Sequence, residues 1–127
     1  MNLEQAIPVI KGYWYLASVY SIWPHGKEDA NIFAQKLAAR LMLIGVPVFS
    51  PIAHTHGIEP WTGPQEHAFW MAVDKPMVDA AYGVLVTEMT RWQYSKGIGI
   101  EIGWAREQKK PIWLLNPVTL AVRPLPV

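Results

Sequence analysis

Cysteine is absent from this chain. That excludes disulfides and thiolate metal sites alike, and it is compatible with a reducing compartment. Charge is scarce: Asp, Glu, Lys and Arg make up 17% of the residues, and the formal net charge is +1. A chain so near neutrality has no field to draw in a phosphate backbone, so a nucleic-acid polymer is not an expected partner. A single nucleotide stays open, because binding one needs a site and not a field. No apolar run reaches the roughly 20 residues that cross a bilayer. The segment Met1-Asn-Leu-Glu-Gln5 has neither the basic stretch nor the long apolar stretch of an export signal. No membrane partner and a cytoplasmic location are therefore expected.

What is present fits a folded enzyme-sized domain. Hydrophobic residues are 51% of the 127, which excludes a disordered chain and allows one domain with a real core. We read residues 1–127 as that domain, with a proline-rich tail over 116–127. Seven tryptophans in so short a chain point to a pocket or an interface, since Trp is rarely buried completely.

Periodicity orders the elements. Residues 13–18 are short and aromatic and read as a first strand. Over 28–44, Phe33, Leu37, Leu41 and Ile44 recur at helical spacing, and Gly45 closes that helix. Residues 46–51 read as a second strand, with Pro47 at its start or edge, and 53–63 as a loop. Pro64 opens a helix to Asp74; Lys75-Pro76 breaks it, and a short second helix runs to Ala81. The apolar run over 82–87 is that of a buried parallel strand. After a loop over 89–94, Ser95 caps a helix that reaches Lys109, and 111–115 form a further strand. Strands alternate with helices, so the fold is predicted as α/β: three layers, α/β/α, around a parallel sheet of four to five strands, flavodoxin-like or Rossmann-like. Ligands of such sheets sit at the carboxyl ends of the strands, which gathers 18–21, 52–63 and 88–97 around one crevice.

Within that crevice the sharpest motif is Ser95-Lys-Gly-Ile-Gly-Ile-Glu101. Ser95, Gly97 and Gly99 open a helix whose free N–H groups can approach an anionic group. Glu101 borders the buried stripe of Ile98, Ile102 and Ala105. A carboxylate there costs free energy unless it is paired with an arginine or tyrosine inside the fold, or used. Asp74, before Lys75-Pro76, is the second candidate, as a capping residue or as the partner carboxylate. A pair of carboxylates suits glycosidic cleavage, one attacking the anomeric carbon and the other protonating the leaving group. Asp79 competes for that role but reads as a strand-entry residue. His54 and His56 share a side if the strand continues through them, yet no third ligand is evident, so no metal is expected; His54 reads as substrate-facing or loop-stabilising. Tyr15, Tyr20, Trp61, Trp70, Trp92 and Tyr94 could stack on a base or fill core and rim.

These motifs, in order, resemble the nucleoside 2-deoxyribosyltransferase-like superfamily: Tyr15-Leu-Ala-Ser18, Val48-Phe-Ser-Pro51-Ile, Trp70-Met-Ala-Val-Asp74 with the strand after it, and Ser95-x-Gly-x-Gly-x-Glu101-x-Gly-x-Ala105. Residues 13–115 carry the resemblance. The last motif is similar to that of the nucleoside 5′-monophosphate N-hydrolase branch, and the whole chain to a bacterial and phage subgroup. The resemblance implies a cofactor-free enzyme that cleaves the N-glycosidic bond of a nucleoside or deoxynucleoside, or of its 5′-monophosphate. Glu101 would form a covalent glycosyl intermediate, Asp74 would protonate the departing base, and Tyr15 would orient Glu101. Ser95, Gly97 and Ser18 would hold the 5′ end. Water as acceptor makes a hydrolase, a second base a transferase. The resemblance also implies a homo-oligomer, dimer or tetramer. The alternative is a non-catalytic nucleotide-binding module on the same fold.

Overall fold

The computed structural model describes residues 12–125; the two ends of the predicted domain, 1–11 and 126–127, lie outside the described residues. At the centre runs β1 (Trp14–Ala17), every residue of which is buried. It pairs in parallel with β2 (Val48–Phe49) on one side and β3 (Gly83–Thr87) on the other. β3 pairs in parallel with β4 (Ile112–Leu115), and β5 (Val122–Pro124) closes the far edge antiparallel to β4. The order is β2-β1-β3-β4-β5. The fold is thus a single small α/β domain of Rossmann-like type, with five strands and a mostly parallel sheet.

Two alternating sets of side chains build the core. Trp14 and Leu16 point to one face, where they meet Leu37 and Leu41 of α1 (Lys27–Leu43) together with Leu85 and Leu115. Tyr15 and Ala17 point to the other, among Val84, Val86 and Val78, with Ile98, Ile102 and Ala105 behind them. These last four sit on α4 (His67–Ala80) and α5 (Lys96–Glu107), which pack together on that face. The period of two along a strand divides the residues this way. The predicted α1 stripe needs a correction at its end: Ile44 lies past the helix and is exposed, and Ala30, Ala34 and Ala38 join Leu37 and Leu41 against the sheet.

Three further predictions are corrected by the structure. Residues 53–63 are not a plain loop, for they hold the end of α2 (Pro51–Thr55) and all of α3 (Glu59–Thr62). Ser50 is the cap of α2, accepting from the Ala53 N–H at 3.2 Å, and Pro51 occupies the first turn. That cap ends β2 early. The helix expected to break at Lys75-Pro76 is continuous over His67–Ala80 with Pro76 inside it. Pro76 and Ala72, whose carbonyl loses its helical partner, both lie on the exposed face, where water can replace the bond. The proline-rich tail contributes β5. Only residues 116–121 separate it from β4, far fewer than the roughly dozen a parallel crossover needs, so the strand must return antiparallel. Asn116 shapes that turn by accepting from the N–H groups of Val118 and Thr119. Among the described residues no helix is long and apolar enough to cross a membrane.

Candidate active site

The chain leaves β1 toward α1 and β2 on one side, and leaves β3 toward β4 on the other. A crevice opens between the carboxyl ends of β1 and β3, where this strand order reverses direction. The hydroxyls of Ser18 and Thr87 meet across it at 3.0 Å. Above lies a cavity of about 430 Å³, a volume within the usual range for small-molecule sites. One face of α4 lines it: His67, Trp70, Met71 and Asp74 fall at helical spacing i, i+3, i+4 and i+7. From α5 come Gly97 and Glu101, one turn apart, with Ser95 and Lys96 at the helix start. Tyr20 and Lys27 enter from the loop after β1 and the start of α1, and Thr55 and Glu59 from α2 and α3.

Glu101 is 4% exposed and Asp74 6%. The fully buried Tyr15 donates its hydroxyl to Glu101 Oε2, whereas Asp74 Oδ1 is buried with no hydrogen-bond partner among the described residues. An unsatisfied buried carboxyl oxygen costs on the order of 1–3 kcal/mol or more, and this one belongs to a residue that lines the cavity. Burial pushes both carboxyls up, Asp74 to about 6 and Glu101 to about 8, with the charge of Asp74 adding to the rise of Glu101. The Tyr15 hydroxyl draws both back in part. Its one proton goes to Glu101, so the stronger pull toward ionisation acts there. Burial, reinforced by the two carboxylates, lifts the Tyr15 phenol itself far above its ordinary value, which keeps it a donor. At neutral pH the pair therefore holds one proton between two carboxyls.

Most of the residues expected at the site are brought together. Glu101, Asp74, Ser18, Tyr20, Ser95 and Gly97 all line the cavity, with Tyr15 directly behind Glu101. Ser95 also caps α5, its Oγ accepting from the Ile98 N–H at 3.2 Å. The family model described as Domain of unknown function (DUF1937) matches residues 12–116, a span that contains every one of these side chains. The chain belongs to this family. The comparison with curated proteins gives no match.

Two expected site residues of this DUF1937 domain stand elsewhere. His54 is exposed on α2, with its ring against Phe49 at 5.3 Å between centroids; where a helix replaces the expected strand exit, positions 54 and 56 no longer share a side. Gly99 is exposed too, with open space where a Cβ would stand. Among the described residues no group of three or more His, Asp or Glu side chains is arranged to hold a metal ion. Asp79 is engaged at the surface with Lys75 at 3.1 Å and Gln108 at 2.6 Å. Of the tryptophans, Trp70 lines the cavity, while Trp14 is in the core and Trp61 is 89% exposed.

Sequence reasoning missed Lys27, Glu59, Gln65, His67, Met71 and Lys96, all of which line the cavity. For His67 and Met71 a signal existed: they precede Asp74 by seven and three residues, the spacing of one helix face.

Proposed function

We propose that this protein cleaves the N-glycosidic bond of a nucleoside or deoxynucleoside, or of its 5′-monophosphate, with Glu101 as nucleophile and Asp74 as general acid. The observation that carries the reading is the orphaned Asp74 oxygen beside a Glu101 anchored by Tyr15, both in the wall of one cavity. Two buried carboxyls sharing one proton supply an anion and an acid in the same site, the requirement of a retaining glycosidic displacement. The resemblance of Ser95-x-Gly-x-Gly-x-Glu101 to the nucleoside 2-deoxyribosyltransferase-like superfamily supports the choice of bond.

A Glu101 carboxylate oxygen attacks the anomeric carbon and the bond from carbon to base nitrogen breaks. Its electrons go to the base, which takes the proton from Asp74. The Asp74 carboxylate then removes a proton from water, or from a nitrogen of a second base, and that acceptor displaces Glu101 from the anomeric carbon. Burial leaves the shared proton mainly on Glu101, the carboxyl with the higher pKa. The Tyr15 hydroxyl favours an ionised Glu101, and a base nitrogen beside Asp74 favours a protonated Asp74, so substrate draws the proton to where the chemistry needs it. Tyr15 positions Glu101 and takes no part in bond making. The free N–H groups at the start of α5, with Ser95 and Lys96, suit the 5′ end of the sugar. Assembly into dimers or tetramers is part of the proposal, with exposed Phe69 and the cavity-lining Tyr94 as apolar surface; light scattering tests it.

The deciding experiment incubates the protein with nucleosides and nucleoside 5′-monophosphates, ribo and deoxy, with and without a second base, and follows free base by chromatography. Base release by the natural protein and none by Glu101→Ala is expected. Ligand binding with no base released from any substrate would replace the enzyme by a nucleotide-binding module.

A further inference from the structure

A second chain of polar contacts stands on the wall of the cavity, away from the carboxyl pair. Glu28 Oε2 lies 2.7 Å from His56 Nε2, and His56 Nδ1 lies 2.7 Å from the Tyr20 hydroxyl. Glu59 Oε2 is 3.4 Å from that same hydroxyl, and the Lys27 ammonium sits 5.4 Å from the centre of the Tyr20 ring. Tyr20, Lys27 and Glu59 also line an adjoining open cavity together with His56, so they form the partition between the two spaces.

The direction of each proton follows from the partners. A carboxylate only accepts, so Glu28 takes the Nε2–H of His56. When the ring is uncharged its Nδ1 is an acceptor, and the single phenolic proton of Tyr20 goes there. At 3.4 Å, Glu59 is beyond a good O–H···O bond. Tyr20 and Glu59 both line the cavity, so with the phenolic proton turned to His56 the Tyr20 oxygen and the Glu59 carboxylate stand side by side as two acceptors. Burial and the neighbouring Glu59 carboxylate hold the Tyr20 phenol up at about 12, so it keeps its proton and the arrangement persists.

We infer that Tyr20, aimed by His56, and Glu59 form an acceptor pair that selects a base carrying an exocyclic amino group over one carrying a carbonyl there. An amino group brings two hydrogens to two acceptors, whereas a carbonyl oxygen brings a third set of lone pairs and leaves the pair unsatisfied. Rejection by unpaired polar groups is the stronger form of discrimination. The inference rests on the nucleoside reading of the cavity. Tyr20 and Glu59 touch the ligand in it; His56 is a positioning residue and Glu28 fixes its tautomer.

The test is a binding measurement, so turnover is not needed. In the Glu101→Gln protein at about pH 8, where an imidazole is uncharged, the Kd of cytidine is compared with that of uridine, and adenosine with inosine, each as ribo and deoxy forms. The amino member of each pair is expected to bind about tenfold tighter. Tyr20→Phe, His56→Leu and Glu59→Gln should each bring that ratio toward about one; Glu59→Gln, on the short outer helix α3, covers the event that His56→Leu misfolds. A purely structural role would weaken both members alike and leave the ratio in place, which overturns the inference for that residue. Equal binding of the two members in the parent protein, tighter binding of the carbonyl member, or a preference that follows the sugar hydroxyls and not the base overturns it outright. Binding of none of the nucleosides removes the nucleoside reading itself, and this inference with it.

Discussion

Replacing Glu101 with Gln should make the protein more stable, by an amount that grows with pH. The side chain is buried, and burial is the main reason its carboxyl is raised from 4.5 to about 8. In the unfolded chain it ionises at its ordinary value, so between the two pKa values the folded state binds more protons than the unfolded one, and stability falls as pH rises. The contribution of the protonated group is fully present below 4.5 and is lost by the time pH passes about 8. At about 1.4 kcal/mol per unit the loss is under about 1 kcal/mol at pH 5, about 3 kcal/mol at pH 7 and on the order of 5 kcal/mol above pH 8. Gln has no proton to lose, keeps the acceptor for Tyr15 and has nearly the same volume. Asp74 titrates in both proteins and largely cancels. Urea denaturation of both proteins at pH 5, 7 and 9, with unchanged slopes, measures the difference. A gap between the two that is flat across this range, or Gln less stable at pH 9, would refute the claim that Glu101 is held in a dry site against its ionisation.

The same geometry carries the other predictions. If the carboxyl pair works with one proton, activity should follow a bell with limbs near 6 and 8. Below the lower limb both groups are protonated and no nucleophile is left, and above the upper one both are ionised and no acid is left; a profile flat from pH 5 to 9 would contradict the shared proton. Gly99→Ala should raise stability by about 0.5–1 kcal/mol through helix propensity and leave kcat/KM unchanged, because open space surrounds that position; lost activity would put Gly99 back at the site. Gly83→Ala should cost about 3 kcal/mol or more, since its Cβ would stand 2.5 Å from the Pro111 carbonyl oxygen and from Trp14 Cζ3, and thermal unfolding would show it.

How much of this was legible beforehand depends on the range of the interaction that decides it. β1, α1, β3, α5 and β4 follow from local periodicity, because burying a strand or one face of a helix imposes that period on the sequence. Glu101 stood out for the same reason, as a carboxylate beside an apolar stripe, and Ser95 because a helix start needs a cap. The Ser50-Pro51 cap was equally local, yet the apolar run before it read as strand and concealed α2. Pro76 misled because the rule that proline breaks helices assumes that the carbonyl it strands is costly, and here that carbonyl faces outward.

The sequence by itself determined the α/β class, the order of the principal elements and the two carboxyls worth watching, since each leaves a pattern within about one helix or strand length. The resemblance implied that Tyr15 orients Glu101, and only the tertiary structure carries the contact itself, across 86 positions of chain. Tertiary structure alone put Asp74 in the same wall with one oxygen unpaired, turned His54 out of the cavity, and joined Glu28, His56 and Tyr20 from three separate segments. Contacts of that range leave no period in a single sequence, because they depend on how whole elements pack and not on how neighbouring residues repeat.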